Sequence, residues 1–281
     1  MMFFTLFIAT VAYIIGSASG YGISYAGIAL IISGLLSLGS YYWSDKIVLK
    51  MSQAHPADRK KDFDLFTVAE NLSIASGLPK PKLYVIEDTA INAFATGRDP
   101  AHAVICATRG LIDKLDRREL EGVLAHEMSH IQNYDIRLMA VVTVLVGTAA
   151  FLSDWFSRTL WWGGRRNNND RGGSGQLVFL IGIILAVIAP LIATLIQLAI
   201  SRRREFLADA NGVLLTRNPG ALASALAKIS NDKEVLEAAT NATAHLYIAN
   251  PFKGKEFSAW FANLFNTHPP IKERIKILHA M

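Results

Sequence analysis

The sequence predicts an α+β, mainly helical protein held in a membrane by about four transmembrane helices and carrying a polar domain with a small sheet. Three observations predict it. Long uncharged apolar runs interrupt the chain, strand and turn signals cluster between 82 and 108, and His126-Glu127-Met128-Ser129-His130 lies in a helical context. Hydrophobic residues fill 52% of the 281 positions and charged residues 18%, with mean hydropathy +0.30. That balance exceeds what an ordinary water-soluble domain carries.

Four runs account for the excess. Met1 to Ile15 is uncharged and extends through Ser17 to Gly20; Ile23 to Trp43 is also uncharged. Leu138 to Phe156 holds one acid, Asp154, and Leu177 to Ile200 is uncharged around Pro190. A spanning helix needs roughly 17–25 apolar residues, which the last three runs supply. The first run lacks the positive start of a cleaved signal, and a second run follows almost at once, so a two-span hairpin is expected. Residues 1–43 and 138–200 are then two transmembrane hairpins. Residues 44–137 and 201–281 are then two segments of one folded domain.

The net charge of +5 and pI near 9.3 do not call for nucleic acid. Lys46, Lys50, Arg59, Lys60 and Lys61 follow the second run, Arg137 precedes the third, and Arg202, Arg203 and Arg204 follow the fourth. All fall on one side of the bilayer, which the positive-inside rule makes cytoplasmic. The opposing loop carries Arg158, Arg165, Arg166 and Arg171, a smaller count. The single cysteine, Cys106, excludes an intrachain disulfide and reads as a buried strand residue.

Within the polar parts, a helix is expected from Ala57 to Ser76, stopped by Gly77 and Pro79, with Phe66, Ala69, Leu72 and Ile74 on its apolar face. Lys82–Ile86, Asn92–Thr96 and Ala101–Thr108 read as strands, the last two as a hairpin around Gly97 and Pro100. Asp116 and Glu119 form a capping-box pattern opening a helix that runs through His130. That helix either ends at Asn133-Tyr134-Asp135 or continues into the third run. Later helices are expected over Arg202–Leu215, Ala221–Ile229 after the Asn218 cap, Lys233–Ile248, and from Pro269-Pro270 onward.

The chemistry rests on the His126/His130 pair. Positions i and i+4 share a helix face, so both imidazoles reach one ion, and Glu127 stands beside a water on it. A catalytic zinc takes three protein ligands and keeps one position open. An extended motif with Gly and a third His is excluded, because positions 133 and 136 are Asn133 and Ile136. The best third ligand is Glu205, four residues before Asp209 on a helix. One carboxylate binds metal while the other fixes the tautomer of a ligand histidine. A solvated charge face beside three arginines is the plainer alternative, and the return hairpin between His130 and Glu205 counts against it. His55, His102, His245 and His279 read as surface or packing residues, and Asp135 as a cap or orienting group.

Four blocks in order then carry a resemblance: Asn92-Ala93-Phe94-Ala95-Thr96-Gly97; His126 to His130 with Asn133 and Asp135; Ser201 to Phe206 with Ala208-Asp209-Ala210; and Thr267-His268-Pro269-Pro270. Over nearly its whole length the chain resembles the HtpX family of membrane-bound zinc metalloproteases, a branch of the Glu-liganded zincins. The resemblance implies an endopeptidase acting on misfolded or damaged membrane proteins, in quality control at the bacterial inner membrane, with its zincin-like domain facing the cytoplasm. It implies one zinc per subunit on His126, His130 and Glu205, and Glu127 as the base. Asp209 and Asn133 support the ligands. Asn92, Ala93, Phe94, Ala95 and Thr96 resemble an edge strand that pairs with substrate. His268 either stabilises the oxyanion or caps the last helix.

Three rivals are weighed. An intramembrane protease is disfavoured because Asn133, Asp135 and Arg137 separate the motif from the third run. A prenyl-peptide processing protease has the same site chemistry but is expected to enclose it with more spans. A non-catalytic metal-binding scaffold has no use for Glu127. Oligomeric state is not specified.

Overall fold

The computed structural model describes residues 42–144, 146–147, 201–240, 242–252 and 269–281. The expected spans lie almost wholly outside these residues, as does His268. Among the described residues no helix is long and apolar enough to cross a membrane. The chain divides into two compact units, one of Met1–Trp43 with Gly147–Thr194, the other of Ser44–Val146 with Leu195–Met281. The second unit, mainly helical around a small mixed sheet, is described below.

After a helix over 42–51 (α1), the sheet is built from β1 (His55–Pro56), β2 (Lys82–Ile86), β3 (Ala93–Thr96) and β4 (Val104–Thr108), in the order β1-β2-β4-β3. β2 runs parallel to β4; β1 and β3 run antiparallel to their neighbours. The central strand β4 is buried at every position, as its unbroken Val-Ile-Cys-Ala-Thr run requires. Cys106 sits fully buried within it, and burial pushes its thiol far above the ordinary range. β3 is an edge strand, in register Ala93↔Ala107 and Ala95↔Ile105 with β4.

The expected hairpin forms, but β4 starts at Val104 rather than Ala101. Asp99 accepts the His102 amide at 2.9 Å and holds Pro100–His102 in a 3-10 turn. Gly97 enters that turn at φ +137°, where a Cβ would meet the His102 carbonyl at 2.5 Å.

Helix α2 (Phe63–Ser76) begins later than Ala57 because two aspartates hold the preceding chain in a turn. Asp58 accepts the amides of Lys60 and Lys61, and Asp62 accepts that of Asp58. Its buried face is Leu65, Val68, Ala69 and Leu72; Ile74, expected inside, is 82% exposed. A short helix α3 (Arg109–Lys114), capped by Thr108, was not evident in the sequence.

Helix α4 (Arg117–Gln132) opens on the expected capping box, with both reciprocal bonds made between Asp116 and Glu119. It is buried at twelve of its sixteen residues and packs against α2 and β3. It also packs against α6 (Arg202–Thr216) and α7 (Pro219–Asn231). Gly122 admits α7, since a Cβ there would lie 3.0 Å from the Leu222 backbone. α4 ends at Asn133; Tyr134 turns the chain at φ +58°, and a new helix (α5) starts at 135. α7 takes Asn218 as cap through the Ala221 amide, as the Asn-Pro pair implies.

The helix expected over Lys233–Ile248 does not form. Among the described residues of that range, Ala244–Leu246 alone makes a 3-10 turn. Thr240 and Thr243 exchange hydrogen bonds between side chain and backbone, which competes with helical pairing. The chain beyond runs against β3. The last helix, α8 (Ile271–Leu278), starts at Pro270 as expected.

Candidate metal centre

Helix periodicity sets the His126 and His130 rings on one face of α4. Their Nε2 atoms stand 3.2 Å apart, and the rings are nearly perpendicular. Helix α6 crosses the same face of α4 and brings Glu205 between them, with Oε2 3.7 Å from His126 Nε2 and Oε1 3.6 Å from His130 Nε2. The crossing is close because Gly212 has no side chain; a Cβ there would lie 3.2 Å from the His126 amide nitrogen. Ligand atoms about 2.0–2.1 Å from a tetrahedral ion are separated from one another by roughly 3.4 Å. The separation of the two Nε2 atoms is near that figure, and Glu205 turns one carboxylate oxygen to each ring at a similar distance. His126, His130 and Glu205 are each buried, and their ligand atoms lie within 4.8 Å of one another.

The outer nitrogens fix the tautomers. His126 Nδ1 lies 2.9 Å from Asp209 Oδ1, and His130 Nδ1 lies 3.1 Å from Asp135 Oδ2. A carboxylate can only accept, so each Nδ1 carries the proton and each Nε2 lone pair faces the third ligand. The donor set and its orientation therefore fit a metal ion.

Each orienting carboxylate is itself held by an arginine. Arg274, fully buried, donates from Nε and Nη2 to Asp209 at 2.8 and 2.7 Å, and its Nη1 lies 3.4 Å from Glu205. Arg204 donates to Asp135 at 3.0 Å. Burial works against charge on Asp209, yet the Arg274 charge and hydrogen bonds hold its carboxyl below the ordinary range. Burial and the Arg274 charge lower His126. Burial also opposes charge on His130, but Asp135 and Glu205 outweigh it and raise that imidazole.

Glu127 lies one residue round the helix, 2% exposed. Burial, and after it the charge of Glu205, pushes its carboxyl up to about 7, while the Ala95 amide donates to it from β3. The strand that the sequence singles out thus lies beside the candidate base.

Asp209 stands where the sequence reading puts it. Asn133 ends α4, and its side-chain amide donates to Ser129 Oγ, as does that of Asn211. It contributes to the helix end rather than to a ligand ring. Asp135 takes the orienting role left open for it. Arg274 was missed: within Ile-Lys-Glu-Arg-Ile-Lys it reads as one more surface charge. Its three-residue spacing from Ile271 and four-residue spacing from Leu278, on the inner face of α8, is the signal that places it inward. His245 is buried as a packing residue near Thr143 and the Met139 carbonyl.

A buried HExxH helix, a carboxylate from a second helix and an edge strand against the glutamate are the parts a metalloprotease needs. The chain belongs to peptidase family M48, whose family model matches residues 59–281. It is 44% identical over 283 residues to the "Protease HtpX homolog" of Caldanaerobacter subterraneus subsp. tengcongensis, covering 100% of this chain and 93% of that one. It is 43% identical over 287 residues to the protein of the same name from Streptococcus pneumoniae (strain ATCC BAA-255 / R6), covering 100% and 95%. The crystal structure of S. mikatae Ste24p overlays 96% of this chain and 61% of its own with TM-score 0.47 and 17% identity.

Proposed function

We propose that this protein is a zinc-dependent endopeptidase of the bacterial inner membrane, cutting misfolded or damaged membrane proteins from the cytoplasmic side. The observation that carries the chemistry is the convergence of His126, His130 and Glu205 beside the buried Glu127. The cellular setting is supported by the four apolar runs, the basic residues beside them and the names of the relatives. In this reading residues 1–43 and 138–200 are membrane hairpins, and 44–137 with 201–281 form the catalytic domain.

His126, His130 and Glu205 would hold zinc, with Asp209 and Asp135 orienting the two rings and Asn133 steadying the end of the ligand helix. When bound there, zinc lowers the pKa of water and polarises a carbonyl. Glu127 takes one proton from the attacking water and passes it to the amine as the peptide C–N bond breaks. The Ala95 amide holds Glu127 in place. The strand Asn92 to Thr96 pairs with the extended substrate backbone, and His268 donates to the developing oxyanion. A purely structural metal site would have no use for Glu127, and a prenyl-peptide processing enzyme is expected to carry more spans.

The test is zinc content and casein cleavage by the full chain in detergent, with and without chelator. Glu127→Gln is expected to keep zinc and lose cleavage. Cleavage that survives the substitution, or that ignores the chelator, excludes this assignment.

A further inference from the structure

In an antiparallel sheet, alternate residues of an edge strand point their backbone N–H and C=O away from the neighbouring strand. On β3 these residues are Ala93 and Ala95, because the Asn92 carbonyl is turned toward β4 and accepts the Thr108 amide at 3.0 Å. They form the edge to which an extended substrate would add. Both named groups on it are engaged. The Ala95 amide donates to Glu127. The Ala93 carbonyl accepts the Ile248 amide at 3.0 Å.

The Ile248 bond is one of three contacts in register. The Asn92 side-chain amide donates to the Ala249 carbonyl at 3.0 Å. Phe94 meets Tyr247 ring edge to ring face, with centroids 5.1 Å apart at 81°. Three successive residues of β3 thus meet three successive residues of the later segment in reverse order, tied by one backbone hydrogen bond, although the sheet itself ends at β3. The segment is buried from Ala242 to Ala249, and Tyr247 is fully so. Arg274, which holds Asp209 beneath His126, also reaches the Ile248 carbonyl at 3.5 Å. The catalytic groups it lies near are themselves closed off, with His126 1%, Glu127 2% and Glu205 1% exposed.

We infer that residues Tyr247 to Ala249, following the Ala244–Leu246 turn, are an internal stand-in for substrate: they cover the outward edge of β3 at Ala93, and a polypeptide substrate must displace them to be cut. This rests on the peptidase reading of the same site. It makes the described state a latent one, in which the competing ligand is the protein's own chain. No bond is made or broken in the release; one set of backbone hydrogen bonds on Ala93 replaces another. The occupant that matches the edge best is an extended, uncharged stretch, because the displaced segment is Tyr-Ile-Ala.

The test uses the full-length, zinc-loaded enzyme in detergent with casein as substrate. Ile248→Pro removes the amide that Ala93 holds, and Tyr247→Leu removes the ring contact while keeping apolar volume. Ile248→Pro is expected to raise the cleavage rate at low casein about fivefold, the population shift that one lost backbone hydrogen bond corresponds to, and Tyr247→Leu to raise it as well, both with zinc content unchanged. A merely structural role for the segment predicts the opposite, a loss of activity in step with a lower melting temperature. Because either variant can fail to fold, hydrogen exchange on Glu127→Gln supplies a second reading. Casein is expected to deprotect the amides of 247–249 and leave those of β4 unchanged. Chelator-sensitive cleavage in the wild type that neither variant raises, or protection at 247–249 that casein does not reduce, overturns the inference and leaves the peptidase reading standing. Wild-type cleavage that ignores the chelator removes the peptidase reading, and this inference with it.

Discussion

Arg274 donates two parallel hydrogen bonds to Asp209, at 2.8 and 2.7 Å, with the guanidinium fully buried. Fork-to-fork geometry of this kind fixes the plane of a carboxylate as well as its charge. Asp209 in turn fixes His126, so a side chain from α8 sets the orientation of a ring on α4.

Arg274→Lys keeps the charge but cannot make both bonds at once. It is expected to weaken zinc binding about 10–100-fold, the usual effect of losing a partner behind a metal ligand. Competition against a chromophoric chelator measures this. Arg274→Met leaves the buried Asp209 carboxylate without its counter-charge, with only the His126 hydrogen bond, and should cost about 3–5 kcal/mol of stability, read by denaturant unfolding. Unchanged zinc affinity in Arg274→Lys would show that the fork is not needed.

Asp135 gives the parallel case on the other ring. Asp135→Asn retains an acceptor but loses the charge that raises His130. Zinc affinity should again fall about 10–100-fold. Arg204→Lys should do less, because the Arg204 side chain is 37% exposed and its pair with Asp135 is partly solvated.

Gly212→Ala places a methyl group 3.2 Å from the His126 amide nitrogen. Both groups belong to packed helices, so the gap opens only if α6 moves from α4. A stability loss of about 1–3 kcal/mol is expected, together with weaker zinc binding, since Glu205 and Asp209 ride on the displaced helix. A variant that loses stability and keeps zinc affinity would show that the ligands reach across independently of the crossing.

Glu119 yields a pH prediction. Burial raises its carboxyl, but Lys228 and Ser224, each 2.6 Å away, and the Asp116 amide outweigh that and hold it below its ordinary value of 4.5. A group depressed in the folded state stabilises it above the unfolded value and loses that contribution as pH falls through the folded one. Glu119→Gln is therefore expected to cost about 1–3 kcal/mol at neutral pH. The gap to wild type should close as pH drops below 4.5. A pH-independent gap would mean that packing, not charge, is lost.

Local patterns were legible wherever a residue acts on its near neighbours. The Asp116–Glu119 box and the Asn218-Pro219 start each depend on contacts three or four positions apart, and both form as the sequence predicts. Arg274 was not legible, because its partners lie on helices distant in sequence and its neighbours are ordinary surface charges. The start of α2 was read early because Asp58 and Asp62 look like helix-surface residues until their side chains are seen to bond the backbone. Lys233 to Ile248 reads as helical because its apolar content satisfies that period; the Thr240–Thr243 bonds and the Ile248 amide on the Ala93 carbonyl hold it in turns instead.

The ligand helices α4 and α6 meet only after a long stretch of intervening chain has been made. About 75 residues separate His130 from Glu205, and about 70 more separate Glu205 from Arg274. A ribosome adding about 5–20 residues per second delivers Glu205 about 4–15 s after His130, and Arg274 about as long again after that. For about a quarter of its synthesis the nascent chain therefore carries His126, Glu127 and His130 without Glu205, and for about another quarter it lacks Arg274. Order of translation alone keeps the site incomplete until the domain that encloses it can close.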